Sequence, residues 1–366
     1  SIRYFINMPG ANFALDGGGA FEVTNHRDNT SILNEGNMYV NGDVYGYGSI
    51  RTTAGEIYVN GDADVANSVS YDASALCVEN SAEVYIYGSL PVNTSGNGLF
   101  IKANADETAI KARVSIYGKK DSLLSPTIET GRINCEQKGA NIFYGNDVKV
   151  TPDNNTQNIY GNMFVYGKYE CSAEVNIHIN NSATLYIKDN VNAPKTTVYL
   201  NNQSGFYCFG SEVILKAIIS DFSRVYLINL PSGTYSGIGS VQLNNVSLIY
   251  YPKSTTLANL TKSDDSVIMS DPGSVFPIYD SNFAAKNSTI VTIGNIKITS
   301  KVTIPEGSTL CVGGNVYFCG SSASIVNNGN LYIMGKMYYS ANALATITLG
   351  NFDELSDRYD KATNNS

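Results

Sequence analysis

The segment MYVNGDV at residues 38–44 returns almost unchanged as IYVNGDA at residues 57–63. Side chains of a β-strand point alternately to its two faces, so Met38 and Val40 face one way and Tyr39 faces the other. The apolar pair predicts a core on one side of the strand. Gly42 permits the sharp backbone turn that ends a strand, and aspartate after it suits a turn. The segment therefore predicts a short strand followed by a corner.

The same strand-and-corner unit recurs along the chain at irregular intervals. Clear copies are VYIYG at 84–88, VSIYG at 114–118, MFVYG at 163–167 and LYIMG at 331–335; looser ones are LYIKD at 185–189, VYLNN at 198–202, VYLIN at 225–229 and NVYFCG at 315–320. Successive starts differ by 57 − 38 = 19, 84 − 57 = 27 and 114 − 84 = 30 residues. The longer interval of 163 − 114 = 49 residues predicts two coils, or one coil that carries a loop.

Short strands between polar corners, with hardly any helical periodicity, predict coils stacked at about 4.8 Å. A single coil cannot bury its own apolar face, so neighbouring coils must cover one another. We therefore expect an all-β fold, a single right-handed parallel β-helix (β-solenoid) with short terminal caps. The uneven intervals argue against a β-propeller, whose blades repeat more regularly. A pair of β-sandwich domains remains open as the structural alternative.

The pattern divides the chain into three parts. Residues 1–33 are an N-terminal strand and loop, residues 34–350 the solenoid, and residues 351–366 a polar cap or tail that allows a short helix around 353–359. The stretch 253–286 interrupts the repeat and contains prolines, which do not donate to a strand ladder. It predicts a lateral insertion.

The first residues alternate in polarity, with Ile2, Tyr4, Ile6 and Met8 on one face of a predicted strand and Phe5 on the other. Two interpretations remain open. The strand caps the first coil of its own chain, or it adds to an open strand edge of another subunit. In the second case these five residues are the assembly contacts.

Charge and motifs exclude several classes of function. The net charge of −8 comes with scattered Lys and Arg, whereas phosphate binding needs them clustered. This argues against a nucleic-acid partner. The sequence lacks an apolar run of about 18 residues, which a membrane span would need. It also lacks the HExxH, GxSxG and P-loop signatures, so it favours a protein that is not an enzyme. His26 and His178 are both predicted to face solvent.

Two groups of side chains are candidate binding sites. Stacking the two NGD corners brings Asp43 over Asp62 with Asp64 nearby, and these carboxylates either form turns or bind a cation such as Ca²⁺. No other cofactor is expected. Outward tyrosines form the second group, which either stabilises the sheet or contacts a glycan or another subunit. Its members are Tyr39, Tyr58, Tyr85, Tyr87 and Tyr117.

The six cysteines include no CxxC pair, so a metal site of that type is not expected. Cys311 and Cys319 lie eight residues apart in strand-like sequence. They either form a disulfide in an oxidising compartment or remain buried thiols.

The glycine-cornered NGDV and YG units across most of residues 34–340 resemble the repeats of bacterial β-solenoid surface proteins and, more loosely, the bactofilin-type polymer-forming repeat. The resemblance implies a right-handed parallel β-helix with a structural or adhesive role, which polymerises through its coil ends. The chain differs from bactofilins in its length, uneven coils, cysteines and many tyrosines. The resemblance assigns no functional residues.

These features predict a secreted structural or adhesive protein at the cell surface or outside the cell, forming a homo-oligomer or a homopolymeric filament. The start at Ser1, without a signal peptide, predicts processing of an exported precursor. The alternative is a β-helix that binds polysaccharide or cleaves it as a lyase or glycoside hydrolase. Convergent carboxylates, or a carboxylate with arginine, favour the enzyme; flat tyrosine-rich faces favour assembly.

Overall fold

The computed structural model describes most of the chain, which divides into two compact units, Ser1–Ser270 and Asp271–Ser366. The described residues are 5–16, 21–23, 30–47, 49–66, 74–88, 97–103, 111–118, 127–152, 154–245, 247–263, 266–269, 276–283, 289–292, 294–312, 314–333, 335–342, 353–354 and 362–364.

The described elements of the first unit are all β-strands. They are β1 (Phe5–Asn7), β2 (Asn12–Leu15), β3 (Phe21–Val23), β4 (Thr30–Asn34), β5 (Asn37–Val40), β6 (Val44–Tyr47), β7 (Ser49–Thr52), β8 (Glu56–Val59), β9 (Ala63–Ala66), β10 (Ser74–Val78), β11 (Glu83–Ile86), β12 (Asn97–Ile101), β13 (Arg113–Ile116), β14 (Thr127–Thr130), β15 (Arg132–Cys135), β16 (Asn141–Tyr144), β17 (Asp147–Val150), β18 (Thr156–Ile159), β19 (Asn162–Val165), β20 (Tyr169–Glu170), β21 (Val175–Ile179), β22 (Thr184–Ile187), β23 (Val191–Asn201), β24 (Gly205–Cys208), β25 (Val213–Asp221), β26 (Arg224–Leu227), β27 (Gly233–Tyr235), β28 (Val241–Asn244), β29 (Leu248–Tyr250), β30 (Thr255–Leu257), β31 (Leu260–Lys262) and β32 (Val267–Met269).

The second unit repeats this strand-rich pattern. Its elements are β33 (Phe276–Pro277), a 3₁₀ turn (Asp280–Phe283), β34 (Thr289–Thr292), β35 (Ile296–Ile298), β36 (Lys301–Ile304), β37 (Thr309–Val312), β38 (Val316–Cys319), β39 (Ser324–Asn327), β40 (Asn330–Ile333), β41 (Met337–Ser340), β42 (Asp353–Glu354) and β43 (Ala362–Asn364). Within the described residues no helix is both long and apolar enough to cross a membrane.

Each coil of the first unit carries strands on up to three faces, and each strand pairs in parallel with its counterpart in the next coil. The first face begins β1-β4-β7-β10, and the third contains β3-β6-β9 and β14-β17-β20. The second face is a 12-stranded sheet that runs from β2 through β5, β8, β11 and β13 to β32. These stacked parallel coils confirm the predicted all-β solenoid.

The five clear copies of the motif in the first unit lie in register on the second face, and their inward side chains form part of the predicted apolar column; the looser copy at 198–202 lies in β23 on the first face. Successive partners are Met38, Ile57, Val84, Val114, Ile142 and Met163, all buried. Ile142 lies between Val114 and Met163, so the interval of 49 residues contains two coils. Each such buried side chain stabilises the fold by about 1.5–3 kcal/mol relative to an exposed one.

The N-terminal strand occupies the first coil of its own chain, where β1 pairs with β4. Within the described residues, the strand faces the opposite way from the prediction, because its predicted apolar face points to solvent. Phe5 packs against Phe13 and Phe21 at ring-centroid distances of 4.6 and 5.2 Å, whereas Ile6 and Met8 are 43% and 59% exposed. Three phenylalanines, one from each face, thus fill the interior of this coil. Ile2 and Tyr4 lie outside the described residues.

Asn7 can point inward because its side-chain amide forms hydrogen bonds with groups inside the solenoid. Its Nδ2 donates to Asn34 Oδ1 and to the carbonyl oxygen of Asn37, each at 2.8 Å. Asn34 Nδ2 in turn donates to the carbonyl oxygen of Gly36 at 2.7 Å. A buried amide that makes its hydrogen bonds carries little penalty.

The stretch 253–286, predicted as a lateral insertion, is largely regular as far as Met269. Strands β30, β31 and β32 pair with β27, β28 and β29 in the same parallel manner as the coils before them. This part of the stretch therefore continues the coils, and the boundary between the units follows at 270/271.

Two short described parts of the C-terminal segment pair with strands of the last coil of the second unit. Asp353–Glu354 pairs with Tyr338–Tyr339 in the antiparallel sense, and Ala362–Asn364 pairs with β39 in parallel. Residues 353–354 are therefore strand, where the sequence allowed a helix. The antiparallel strand occupies an edge to which a further parallel coil would add.

Candidate functional site

The predicted outward tyrosines lie together on the second face of the first unit. Tyr39 is the register partner of Tyr58, and Tyr58 that of Tyr85. Their inward neighbours are buried in the core, so the alternation of the strand directs the tyrosines outward. We call Tyr39, Tyr58, Tyr85, Tyr87 and Tyr117 the tyrosine face.

Four of the five rings of this face form a row with one ring in each coil, and the half-buried ring of Phe143 follows them. Ring centroids are separated by 6.4 Å from Tyr39 to Tyr58, 5.2 Å from Tyr58 to Tyr87, 4.9 Å from Tyr87 to Tyr117 and 5.8 Å from Tyr117 to Phe143. The row passes from Tyr58 to Tyr87 and not to its register partner Tyr85, whose hydroxyl forms hydrogen bonds with Glu83 and Arg113. Tyr87 and Tyr117 lie just beyond the last residues of β11 and β13.

The exposure of the rings to solvent changes along the row. Tyr39 and Tyr87 are 38% and 42% exposed, and Tyr58 and Tyr117 are half-buried. Phe164 and Tyr186, further along the same face, are buried. The rings that a ligand can reach therefore lie in the early coils.

Charged side chains stand beside the rings. Glu56, Glu83 and Arg113 are register partners in three successive coils. Tyr39 Oη donates to Glu56 Oε2 at 3.2 Å, and Tyr85 Oη donates to the carboxylate of Glu83. Arg113 Nη1 lies 3.2 Å from Tyr85 Oη and 3.5 Å from Glu83 Oε2. These contacts form two groups, Tyr39 with Glu56 and Tyr85 with Glu83 and Arg113.

Sequence reasoning missed these charges, although a signal was present. Glu56 and Glu83 each stand directly before an apolar-tyrosine-apolar motif, and Arg113 stands at the same place before VSI. Glu83 and Arg113 provide a carboxylate with an arginine, on the outward face of a sheet.

The hydroxyls of Tyr39, Tyr58 and Tyr85 are protonated at neutral pH. The hydrogen bond between Tyr58 and Tyr87, together with burial, raises the pKa of Tyr58 to about 12. Burial and the nearby carboxylate of Glu56 raise the pKa of Tyr39. Burial also raises the pKa of Tyr85, although Arg113 acts in the opposite direction. These three residues thus offer neutral hydroxyl groups rather than phenolates.

The stacked aspartates form part of a corner. The backbone amide of Asp62 donates to Asp43 Oδ1 at 2.8 Å, which joins two successive coils. The same bond recurs at 2.8–3.0 Å between Asp147 and Lys168, Asn190 and Glu212, Asn295 and Asn315, and Asn315 and Lys336. Asparagine serves as well as aspartate at these positions, so the corner requires an acceptor oxygen and no charge.

The calcium site stays a prediction. Among the described residues no group of three or more His, Cys, Asp or Glu is placed to hold a metal ion. The side chain of Asp64 lies outside those residues. Arg51, close to the aspartates in sequence, lies on the first face instead, where its Nε is 2.6 Å from Glu79 Oε1.

The predicted disulfide is not formed in the structure. Cys319 is a free, buried thiol whose Sγ lies 3.7 Å from the carbonyl oxygen of Tyr317. Cys311, whose side chain lies outside the described residues, belongs to β37, which pairs with β34 and β40 rather than with the strand of Cys319. His178 stacks on Tyr199 with ring centroids 4.6 Å apart, as an outward residue of a ladder can. His26 lies outside the described residues.

No family model, no curated protein and no solved structure matches the chain. The functional interpretation of the tyrosine face therefore rests on its geometry.

Proposed function

We propose that the chain is a structural and adhesive β-solenoid of the cell surface or extracellular space, with the tyrosine face as its adhesive surface. The observation that carries the proposal is the row of neighbouring, partly exposed rings on a continuous parallel sheet, of which Tyr87 and Tyr117 are stacked and the others tilted. The resemblance of the repeats to bacterial solenoid surface proteins points to the same role.

The construction of this face suits binding. Tyrosine supplies a large amphipathic contact area through only two side-chain torsions, so little conformational entropy is lost when it is covered. Each ring is already held by its neighbours in the row, and the strands beneath are paired on both sides. Such preorganisation reduces the free-energy cost of binding.

Adhesion of the full chain to three surfaces tests the proposal: an insoluble polysaccharide, a protein-coated bead and an apolar plastic. Retention on at least one surface should fall sharply in the double variant Tyr39→Ala/Tyr87→Ala. The matched control is Tyr279→Ala, because Tyr279 is 48% exposed and lies in the second unit. Equal retention of both variants, or no retention of the wild type, would refute an adhesive tyrosine face.

Self-assembly is a second candidate, and the first coil favours it. In the described part of the chain β1, β2 and β3 each pair on one side only. Unpaired strand edges are templates for further strands, and a second copy of the chain supplies them. The exposed side chains of Ile6 and Met8 flank this edge.

Electron microscopy of the wild type and of Ile6→Lys/Met8→Lys tests assembly. We expect the wild type to associate through its first coil into longer particles and the variant to stay as short particles, since both substitutions leave Phe5 in the core. Ile268→Lys is the control, because Ile268 is 42% exposed near the other end of the same unit. Short single particles from the wild type would contradict assembly through this coil.

A further inference from the structure

The row of rings defines a narrow track across the strands. Tyr39, Tyr58, Tyr87 and Tyr117 belong to successive coils, with centroid steps of 6.4, 5.2 and 4.9 Å. Coils repeat at about 4.8 Å because that is the spacing of paired strands. A ligand bound along the track would thus meet one ring per coil.

The track is too small for a folded partner. A tyrosine contributes roughly 150–250 Å² of surface, so Tyr39 and Tyr87, at about two-fifths exposure, each offer on the order of 100 Å² or less, and the half-buried rings offer less still. The row therefore offers at most about 400 Å², whereas a stable protein interface covers about 800 Å² on each partner. The rings alone therefore favour a ligand one ring wide over a second copy of the chain.

The surroundings of the track select a ligand with flat apolar faces and polar edges. The rings present apolar surface, while Glu56, Glu83 and Arg113 present acceptors and donors at their side. An extended peptide recognised by strand addition would need a free strand edge, but β5, β8 and β11 are paired on both sides. A sugar chain fits instead, because its ring faces carry C–H groups and its edges carry hydroxyls.

The charge and shape of this surface restrict the class of ligand further. Two carboxylates stand beside one guanidinium, and the whole chain carries a net charge of −8, so a polyanionic glycan would be repelled. The rings follow one another from coil to coil at steps of 6.4, 5.2 and 4.9 Å. An extended chain, whose sugar residues are each about as long as one coil spacing, matches this track better than a curved one.

We propose that the tyrosine face binds a linear, uncharged, extended polysaccharide that runs along the row, with one sugar ring on each accessible aromatic ring. The carboxylates of Glu56 and Glu83 and the guanidinium of Arg113 bind hydroxyl groups at the edge of the chain. This inference rests on the proposed adhesive function and names its ligand.

Calorimetric titration of the full chain with β-1,4-linked gluco-oligosaccharides, from dimer to hexamer, tests the proposal. Affinity should rise by about tenfold or more from dimer to tetramer, equivalent to about 1.4 kcal/mol or more, and then level off once the accessible rings of the row are covered. Curved α-1,4-linked gluco-oligosaccharides and charged oligogalacturonides should bind at least tenfold more weakly.

Variants link the binding to the row. Tyr87→Ala removes the most exposed ring and should abolish the gain beyond the dimer, whereas Tyr279→Ala should leave the series unchanged. Glu83→Gln should weaken every oligomer severalfold without changing the dependence on length. Circular dichroism checks that each variant keeps its β-structure.

Other outcomes separate this inference from the proposed function. Equal affinity for straight, curved and charged oligomers, or no dependence on length, would overturn the linear track. If no oligosaccharide binds but the wild type self-associates in a manner that Tyr87→Ala removes, the occupant is a second copy and the glycan is wrong. In both cases tyrosine-dependent retention on a surface would still support adhesion.

Discussion

Replacing Asp43 by alanine should lower the midpoint of thermal unfolding of the first unit by about 1–6 °C. The substitution removes the acceptor of the Asp62 amide, at 2.8 Å in a partly buried corner. A hydrogen bond of this kind contributes about 0.5–1.5 kcal/mol net, and each kcal/mol shifts the midpoint of a domain of this size by roughly 2–4 °C. Differential scanning calorimetry measures the shift.

The conservative variant Asp43→Asn distinguishes a structural role of the Asp43 side chain in the corner from a role as a cation ligand. Asp43→Asn keeps the acceptor oxygen and removes the charge, so it should unfold close to the wild type if the side chain acts only through its hydrogen bond. Asp147→Ala removes the equivalent bond to Lys168 at an exposed corner, where water replaces the acceptor, and should lower the midpoint less. Each scan is repeated with Ca²⁺ and with a chelator.

Two results would refute the corner argument. If Asp43→Ala unfolds with the wild type, the hydrogen bond contributes nothing measurable. If Asp43→Asn is as unstable as Asp43→Ala, and the chelator lowers the midpoint of the wild type alone, Asp43 acts through a bound cation. The second result would establish the calcium site predicted from the sequence.

Two further predictions follow from perturbed ionisable groups. Burial tends to raise the pKa of Glu79, but hydrogen bonds from Arg51 and Lys102 lower it overall. The ionised carboxylate of Glu79 therefore stabilises the fold above the pKa of a glutamate in the unfolded chain, about 4.3. This stabilisation is lost as the pH falls through the pKa of Glu79 in the folded protein. Urea unfolding should therefore show a stability gap between wild type and Glu79→Gln at pH 7 that narrows as the pH falls below about 4.3, and a constant gap would contradict the ion pairs. Burial raises the pKa of the thiols of Cys135 and Cys208 to about 12, so iodoacetamide should label them only after unfolding, and labelling of the native protein at pH 8 would contradict their burial.

The sequence was sufficient to predict the coils because their signals are local. Alternation within a strand identified Met38, Ile57 and Val84 as inward residues, and the structure stacks them in register. The glycine corner was also predicted, but for an incomplete reason. At Gly61 a Cβ would lie 2.6 Å from the carbonyl oxygen of Gly42 in the previous coil, so close approach of corners requires glycine there.

The features that could not be predicted from the sequence depend on contacts between residues that are far apart in the chain. Polarity alone placed Ile6 inward and Phe5 outward, whereas burial of this strand depends on Asn34, which lies 27 residues after Asn7 and accepts its amide hydrogen bond. The network on the tyrosine face likewise joins Tyr85 to Arg113, 28 residues away. Such contacts can be predicted only when the register between coils is known. Because the coils differ in length, that register cannot be derived from the sequence.

Uneven coil lengths and a continuous row of rings are compatible because the two depend on different parts of each coil. From Tyr39 to Tyr58 the register advances by 19 residues, and from Tyr58 to Tyr85 by 27, yet both pairs are adjacent on the second face. Most of the extra residues of the longer coil fall between β9 and β10 in the sequence. Lengthening a connection between strands costs little free energy, since the entropy of closing a loop grows only slowly with its length. A continuous row of rings therefore requires that successive coils stay paired on one face, and the connections elsewhere are free to vary in length.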